Sequence, residues 1–253
     1  MPSSILDPNE TFASLTESVG LDNRLRKAVQ RLGHVRPTLV QSKCLPLAIT
    51  SGRDLLVRAK TGSGKTLAYC LPLLQKILRS SEASGSNDSP GVRAVVLVPT
   101  RELCSQVYKT LQSLVYYCDE VVSLAVLSAT RSGGRGSSSG TKAQQDMARQ
   151  KAMLRDRPDV IVATPAGLLT HIRNGDVKLK DSMETLVVDE ADLVLSFGKK
   201  NAAERERQTE RDNIETRLQL QIKIQRDWFR HLSRLLPLRV AFVSSHSTPR
   251  TVS

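Results

Sequence analysis

The sequence predicts an α/β domain in which a parallel sheet carries helices on both faces. Short, Val-rich apolar runs recur along the chain, and the segments between them are long enough to form a helix. Strands that are apolar throughout are typical of parallel sheets, because both faces of such a sheet are buried. The predicted strands are residues 55–57, 94–98, 121–127, 160–163 and 186–188, with a sixth at 240–243.

The composition is that of a folded protein without a membrane span. Apolar residues make up 40% of the 253 residues and charged residues 25%, which is ordinary for a globular protein. No apolar stretch approaches the roughly 18 residues that a transmembrane helix needs. The first ten residues lack the basic and apolar regions of a secretion signal. We therefore expect neither secretion nor a membrane partner.

The cysteines do not form a metal-binding or disulfide pattern. Cys44, Cys70, Cys104 and Cys118 fall in no C-x-x-C motif and in no Cys/His cluster. We expect them to be small buried residues of a protein that works in a reducing compartment.

The chain is strongly basic. Its net charge is +12, and half of that excess lies in residues 199–253. Nucleic acid is a natural partner for such a surface. Solvated surface charge without any partner would give the same balance, so the charge alone does not decide the function.

The local pattern predicts one early helix and two loops. Apolar residues recur at helical spacing within residues 22–32, and Gly33 ends that helix. Residues 80–90 and 131–142 are rich in Ser and Gly, so we expect both to be mobile loops.

The first predicted strand leads into a glycine-rich pattern typical of phosphate-binding loops. A helix is predicted from Leu67 onward, and a strand–loop–helix unit of this kind wraps backbone N–H groups around phosphates. We expect the Lys65 ammonium, solvated in the empty loop, to reach the β- and γ-phosphates and the Thr66 hydroxyl to bind Mg²⁺. A plain glycine-rich turn is the alternative. The loop comprises Ala59 (where the general pattern has Gly), Lys60, Thr61, Gly62, Ser63, Gly64, Lys65 and Thr66.

A pair of carboxylates follows the fifth predicted strand. Asp189 and Glu190 come directly after residues 186–188, at the carboxyl edge of the sheet, where α/β sheets bind ligands. Acidic residues at an ordinary helix N-terminus would give the same pattern. A phosphate loop in the same domain favours a catalytic pair, in which Asp189 holds Mg²⁺ and Glu190 orients the attacking water.

Together the two motifs resemble those of the DEAD-box RNA helicases. The resemblance implies a RecA-like P-loop NTPase domain that uses ATP and Mg²⁺ and binds RNA. Residues 33–41 resemble the Q motif of that family, in which Gln41 would contact the adenine edge and Phe12 would be the upstream aromatic residue. His34 stands where the family usually has an aromatic residue.

Three further segments resemble the RNA-contacting motifs of the family, in the same order along the chain. The third departs from the family pattern, because Gly167 replaces the usual Arg and removes one phosphate contact. The residues that the resemblance assigns to RNA are Pro99, Thr100, Arg101, Glu102, Gly133, Gly134, Thr164 and Pro165.

Two details favour one subgroup of the family. The run at residues 189–198 and the Tyr117–Cys118 pair are most similar to nucleolar members that act in large-subunit ribosome assembly. This similarity implies a location in the nucleus and nucleolus, with RNA and pre-ribosomal particles as partners.

The resemblance also divides the chain. Ser245, His246 and Ser247 stand where the family has a Ser-Ala-Thr motif, and the Ser-Ala-Thr at residues 128–130 is expected to be unrelated because it precedes the carboxylates. The expected parts are an N-terminal tail (1–11), the ATP-binding lobe (12–198), a charged helical insertion (199–227) and a divergent end of the lobe (228–253).

These motifs predict the ATP-binding lobe of an ATP-dependent RNA helicase. Residues 1–253 hold no counterpart of the second lobe of the family, so we expect this polypeptide alone to bind Mg·ATP but to hydrolyse it slowly. One alternative is an ATP- and RNA-binding adaptor that no longer hydrolyses ATP, either a natural one-lobe protein or a gene-model fragment. Another is an unrelated P-loop NTPase such as a small-molecule kinase, which leaves the RNA motifs unexplained.

Overall fold

Parallel strands form the centre of the protein. The computed structural model describes residues 5–52, 54–84, 91–128, 139–179, 182–196 and 239–244. Within these residues six strands form one sheet in the order β1-β6-β5-β2-β4-β3, and every neighbouring pair is parallel. The strands are β1 (Leu55–Ala59), β2 (Ala94–Leu97), β3 (Leu124–Leu127), β4 (Val160–Ala163), β5 (Thr185–Val188) and β6 (Arg239–Ser244).

Helices precede the first strand and connect the others. In the described residues they are α1 (Phe12–Ser18), α2 (Asn23–Arg31), α3 (Leu39–Ile49), α4 (Lys65–Ser84), α5 (Arg101–Leu114), α6 (Ser139–Arg155), α7 (Pro165–Arg173) and α8 (Ala191–Ser196), with a short 3₁₀ turn at Val115–Tyr117.

The sheet separates two hydrophobic cores. Successive residues of a strand point to opposite faces, so Ala94 and Val96 of β2 pack with α1–α5, whereas Val95 and Leu97 pack with α6–α8. The prediction of a parallel sheet with helices on both faces is therefore confirmed. All four cysteines are buried, also as predicted.

Three sequence-based boundaries were wrong. The run that begins at Val121 starts as a turn, in which Val121 and Val122 both donate to Cys118 O, and β3 begins only at Leu124. Helix α6 begins at Ser139, inside the segment expected to be a loop.

Helix α4 likewise continues to Ser84, beyond the point where the loop was expected to begin. The hydroxyls of Ser80 and Ser81 donate to Lys76 O and Ile77 O one turn earlier. These side chains are therefore accommodated within the helix, which the serine-rich composition did not reveal.

Strand β6 closes the gap between β1 and β5. Val240 pairs with Leu55 on one side and with Val187 on the other. The late apolar run is therefore a strand of the same sheet, as predicted. Residues 199–227 and 245–247 lie outside the described residues. In the part of the chain that is described, no helix is both long enough and apolar enough to cross a bilayer.

Candidate nucleotide-binding site

The predicted phosphate loop and carboxylate pair lie at one edge of the sheet. The loop follows the carboxyl end of β1, and Asp189 and Glu190 follow the carboxyl end of β5. Only β6 separates these two parallel strands in the described sheet. Two segments that are more than 120 residues apart in sequence are thus brought to the same edge, as the sequence predicted.

The glycines of the loop are required by its backbone. Gly62 and Gly64 both have φ of 81°, a conformation that L side chains rarely adopt. At Gly64 there is also no room for a side chain, because a Cβ would overlap Gln41 Nε2 and lie 3.1 Å from Thr38 Cγ2. Around Gly62 a Cβ would meet no atom within 4 Å.

Gln41 connects helix α3 to the loop. Its Nε2 donates to Gly64 O at 3.0 Å, and its Oε1 accepts from Thr38 N at 2.8 Å. Thr38 in turn caps the helix, since its Oγ1 accepts from Gln41 N. The capping box therefore fixes the buried Gln41 side chain without the help of a ligand.

The expectation of a solvated lysine was wrong. Lys65 is only 7% exposed, and its Nζ donates to Ala59 O at 2.9 Å and to Lys60 O at 3.2 Å. The ammonium thus bonds the carbonyls at the start of its own loop. A buried ammonium needs such partners, because leaving it unpaired costs several kcal/mol.

The carboxylate of Asp189 is held at both oxygens. Oδ2 accepts from the Tyr69 hydroxyl at 3.0 Å and Oδ1 from Glu190 N at 2.9 Å. Burial raises the pKa of Asp189, while the Tyr69 and Glu190 donors and the nearby Lys65 charge act in the opposite direction. Burial also raises the pKa of Tyr69, so its hydroxyl stays protonated as a donor.

Glu190 has an unusual backbone. Its φ is 48°, which is uncommon for a residue with a side chain and costs conformational energy. Helix α8 begins one residue later, and the backbone N–H groups of Leu193 and Val194 donate to Glu190 O. The turn sets the Glu190 side chain at the sheet edge, directly after the buried Asp189.

Phe12 and His34 form a tilted aromatic pair with ring centroids 5.9 Å apart. Phe12 is only 2% exposed and belongs to the core, whereas His34 is exposed. Partial burial lowers the pKa of His34, which favours its neutral ring. Phe12 is thus placed to support His34, not to present its own face to a ligand.

Two buried polar atoms near this edge have no hydrogen-bond partner among the described residues. They are Ser63 Oγ in the loop and Asp192 Oδ1 in α8. A buried polar group without a partner costs about 1–3 kcal/mol. Together with backbone N–H groups at the N-terminus of α4, Ser63 gives the loop the donors that fit a phosphate.

The first RNA segment forms the start of α5. Thr100 is the N-cap residue, and its hydroxyl accepts from Leu103 N at 3.2 Å. Arg101 is exposed and forms a 3.3 Å ion pair with Asp146 of α6, which is equally exposed. Glu102 lies in the first turn, where its charge suits the helix N-terminus.

The third segment forms the start of α7 in the same way. Thr164 is the N-cap residue and Pro165 the first helical residue. The Thr164 hydroxyl accepts from Gly167 N at 3.2 Å, so the residue that replaces the usual Arg is a buried part of the first turn. Because β2 and β4 are neighbours, the two helix N-termini lie at the same edge. Gly133 and Gly134 lie outside the described residues.

Sequence reasoning missed a buried network beside these helices. The Gln150 amide donates to Ser128 O at 3.1 Å, and its Oε1 accepts from Ser128 N at 3.2 Å. The same oxygen lies 3.2 Å from His171 Nε2, and His171 Nδ1 lies 2.9 Å from Asp176 Oδ2. The network connects the end of β3 to α6 and α7. No local sequence motif predicts it.

A protein-family model identifies the family of this chain. The DEAD/DEAH box helicase family model matches residues 38–221, which includes the loop, both carboxylates and all three RNA segments. The chain belongs to this family. Membership excludes the alternative of an unrelated P-loop NTPase.

Individual helicases agree with this assignment. The chain is 44% identical over 199 residues to a probable ATP-dependent RNA helicase, ddx56, of Dictyostelium discoideum, covering 79% of this chain and 26% of that protein. It is 38% identical over 193 residues to the ATP-dependent RNA helicase DBP9 of Kluyveromyces lactis, covering 76% and 29%. The chain thus spans less than a third of the length of these curated relatives.

A solved helicase structure has the same fold. The yeast DEAD-box splicing factor Prp28 superposes with a TM-score of 0.62 at 25% identity, over 97% of this chain and 49% of that chain. The predicted RecA-like domain is confirmed.

Among the described residues at the edge, Tyr69 is a contact that sequence reasoning missed. It follows Thr66 by three residues on α4, and that spacing places two side chains on one face of a helix. The spacing was the available signal, but it did not indicate that the Tyr69 hydroxyl reaches Asp189.

Proposed function

We propose that this chain is the ATP-binding lobe of an ATP-dependent RNA helicase, which binds Mg·ATP at the loop and RNA beside it. The observation that carries the proposal is that Lys65, after β1, and Asp189, after β5, lie at the same sheet edge. They are close enough that the Lys65 charge acts to lower the pKa of the Asp189 carboxylate. A metal-bound triphosphate requires a cation, here from the loop, and a carboxylate, here from the end of β5.

The roles of the nucleotide residues follow from their chemistry. Lys65 exchanges its carbonyl partners for the β- and γ-phosphates, and Gln41 contacts the adenine edge. Thr66 and Asp189 would hold Mg²⁺, which would neutralise charge on the phosphates. Glu190 orients water for attack on the γ-phosphorus, and the bond to the β,γ-bridging oxygen breaks to leave ADP and phosphate. The other residues proposed for the nucleotide site are Phe12 (which would act by supporting His34), Ala59, Thr61, Gly62, Ser63 and Gly64.

RNA is proposed to lie along the N-termini of α5 and α7. Backbone N–H groups and the Arg101 guanidinium are suited to phosphate, so binding should depend on salt and little on base sequence. The ion pair with Asp146 is no obstacle, because exposed pairs of this kind contribute about 0–1 kcal/mol. The proposed RNA residues are Pro99, Thr100, Arg101, Glu102, Gly133, Gly134, Thr164 and Pro165.

We further propose a role in ribosome assembly within the nucleus and nucleolus. The support is the similarity to helicases named ddx56 and DBP9 and to nucleolar members at residues 189–198. Residues 12–198 with β6 would form the lobe, and residues 199–227 an insertion in it. Co-sedimentation of the tagged protein with pre-ribosomal particles tests the cellular part, and exclusive sedimentation with free protein would contradict it.

Single-turnover ATP hydrolysis tests the proposed reaction. An arginine from across a cleft contributes about 10³–10⁵ in rate in comparable phosphoryl transfers. We therefore expect slow hydrolysis by residues 1–253 and RNA-dependent acceleration when the second lobe of a related helicase is added. Glu190→Gln should remove the acceleration while ATP binding persists. Full-rate hydrolysis by residues 1–253 alone would contradict the need for a second lobe.

A further inference from the structure

Tyr69 is a buried tyrosine whose hydroxyl bonds to Asp189, a residue of the proposed metal site. The residue lies on α4, is 2% exposed and belongs to the hydrophobic core. Its Oη donates to Asp189 Oδ2 at 3.0 Å. Tyr69 lies on α4, directly after the phosphate loop, and Asp189 follows β5, so this one hydrogen bond joins both sides of the site.

The packing of the core does not require this hydroxyl. A phenylalanine would fill the same space, and burying a hydroxyl is unfavourable unless it is hydrogen-bonded. The hydroxyl does restrict the Asp189 carboxylate, whose other oxygen is already held by Glu190 N. With both oxygens bonded, the carboxylate has one orientation.

We propose that Tyr69 is a positioning residue for Mg²⁺, which fixes the orientation of the Asp189 carboxylate. The inference rests on the proposed nucleotide site. Mg²⁺ requires near-octahedral geometry, so ligands that are held in place bind it better than ligands that must be ordered. Residues that bond to metal ligands typically contribute a factor of about 10–100 in metal affinity.

The test is Tyr69→Phe in the 253-residue chain. A fluorescent ATP analogue is titrated with the protein at a series of Mg²⁺ concentrations and again in EDTA. We expect the Mg²⁺ concentration for half-maximal binding to rise about tenfold, while affinity in EDTA stays unchanged. Mn²⁺ in place of Mg²⁺, followed by electron paramagnetic resonance, measures metal affinity in the nucleotide complex directly and should show the same weakening.

Tyr108→Phe is the matched control. Tyr108 lies half-buried on α5, and removal of its hydroxyl should leave the Mg²⁺ dependence unchanged. Thermal melting of all variants in EDTA separates a structural effect from a metal effect.

Each outcome decides the question. A Mg²⁺ dependence equal to that of the wild type, with or without a lower melting temperature, would overturn the proposal and leave Tyr69 a structural residue. Failure of Tyr69→Phe to fold would overturn it as well, because the hydroxyl would then serve the fold. Absence of Mg²⁺-dependent nucleotide binding in the wild type would instead contradict the proposed function.

Discussion

Gln41 Nε2 donates a 3.0 Å hydrogen bond to Gly64 O, which ties the capping box of α3 to the phosphate loop. The side chain lies where a Cβ on Gly64 would have to go. Helix α3 and the loop are thus packed as one unit. A substitution in either should therefore change the structure of the other.

Gln41→Glu should weaken nucleotide binding. The carboxylate can still accept from Thr38 N, but it cannot donate to Gly64 O and repels that carbonyl. Loss of a buried donor costs about 1–3 kcal/mol, so we expect an affinity lower by about 5- to 150-fold together with a lower melting temperature. Titration with a fluorescent ATP analogue measures the effect. Gln106→Glu, at an exposed position of α5, should change neither quantity, and equal losses in both variants would contradict the contact.

Gly64→Ala should destabilise the protein more than Gly62→Ala. Both substitutions force a side chain into φ of 81°, at a cost of about 1–2 kcal/mol. Only Gly64→Ala adds an overlap with Gln41, and overpacking of this kind costs a further 1–3 kcal/mol or so. Urea denaturation gives the free energies of unfolding. In a Gln41→Ala background the extra loss at Gly64 should disappear, and its persistence would contradict the packing described.

Asp189→Asn should stabilise the nucleotide-free protein while removing Mg²⁺-dependent binding. Burial raises the pKa of Asp189, which means that its negative charge is unfavourable at neutral pH. The neutral amide can accept from Glu190 N and donate to the Tyr69 hydroxyl. Each kcal/mol gained raises the melting temperature by about 2–4 °C in a protein of this size.

Thermal melts in EDTA check this expectation. Asp146→Asn, at an exposed site, serves as the control that removes a charge without relieving burial. A lower melting temperature for Asp189→Asn than for the wild type would show that the charge is stabilised by its surroundings.

Arg101→Gln should weaken RNA binding uniformly across sequences. If Arg101 contacts one phosphate, its removal reduces the slope of log affinity against log salt by about 0.7–0.9. Asp146→Asn should have the opposite effect on affinity, since Asp146 no longer competes for the guanidinium. Fluorescence anisotropy with two RNA sequences at several salt concentrations measures both changes. Lys109→Gln, two turns further along α5, is the control, and a strong preference for one sequence would contradict phosphate contact.

The sheet and the site edge could be predicted because their signals are local. An apolar strand followed by a glycine-rich loop fixes the place of Lys65, and a second apolar strand fixes Asp189. The environment of those residues could not be predicted in this way. Burial of the Lys65 ammonium depends on carbonyls of the same loop, and the Asp189 orientation depends on Tyr69, 120 positions away.

The serine-rich composition of residues 80–90 gave a wrong helix boundary for a related reason. Serine is frequent in loops because its hydroxyl competes for backbone groups. In α4 the hydroxyls of Ser80 and Ser81 bond within the helix, and both also accept from the buried Arg93. That arginine lies directly before β2, outside residues 80–90, so the sequence of those residues alone could not show the partner.

The loop at residues 59–66 is proposed to bind Mg·ATP through Lys65. The most direct measurement is the affinity for a fluorescent ATP analogue with Mg²⁺, compared between the wild type, Lys65→Ala and Lys60→Ala. Lys60 is an exposed residue of the same loop, so its loss should matter little. Charge-assisted hydrogen bonds contribute about 1.5–3 kcal/mol, so Lys65→Ala should bind at least about tenfold more weakly. It should also melt at a lower temperature because two carbonyls lose their donor. Equal affinity of wild type and Lys65→Ala, with both proteins folded, would contradict the assignment of the site.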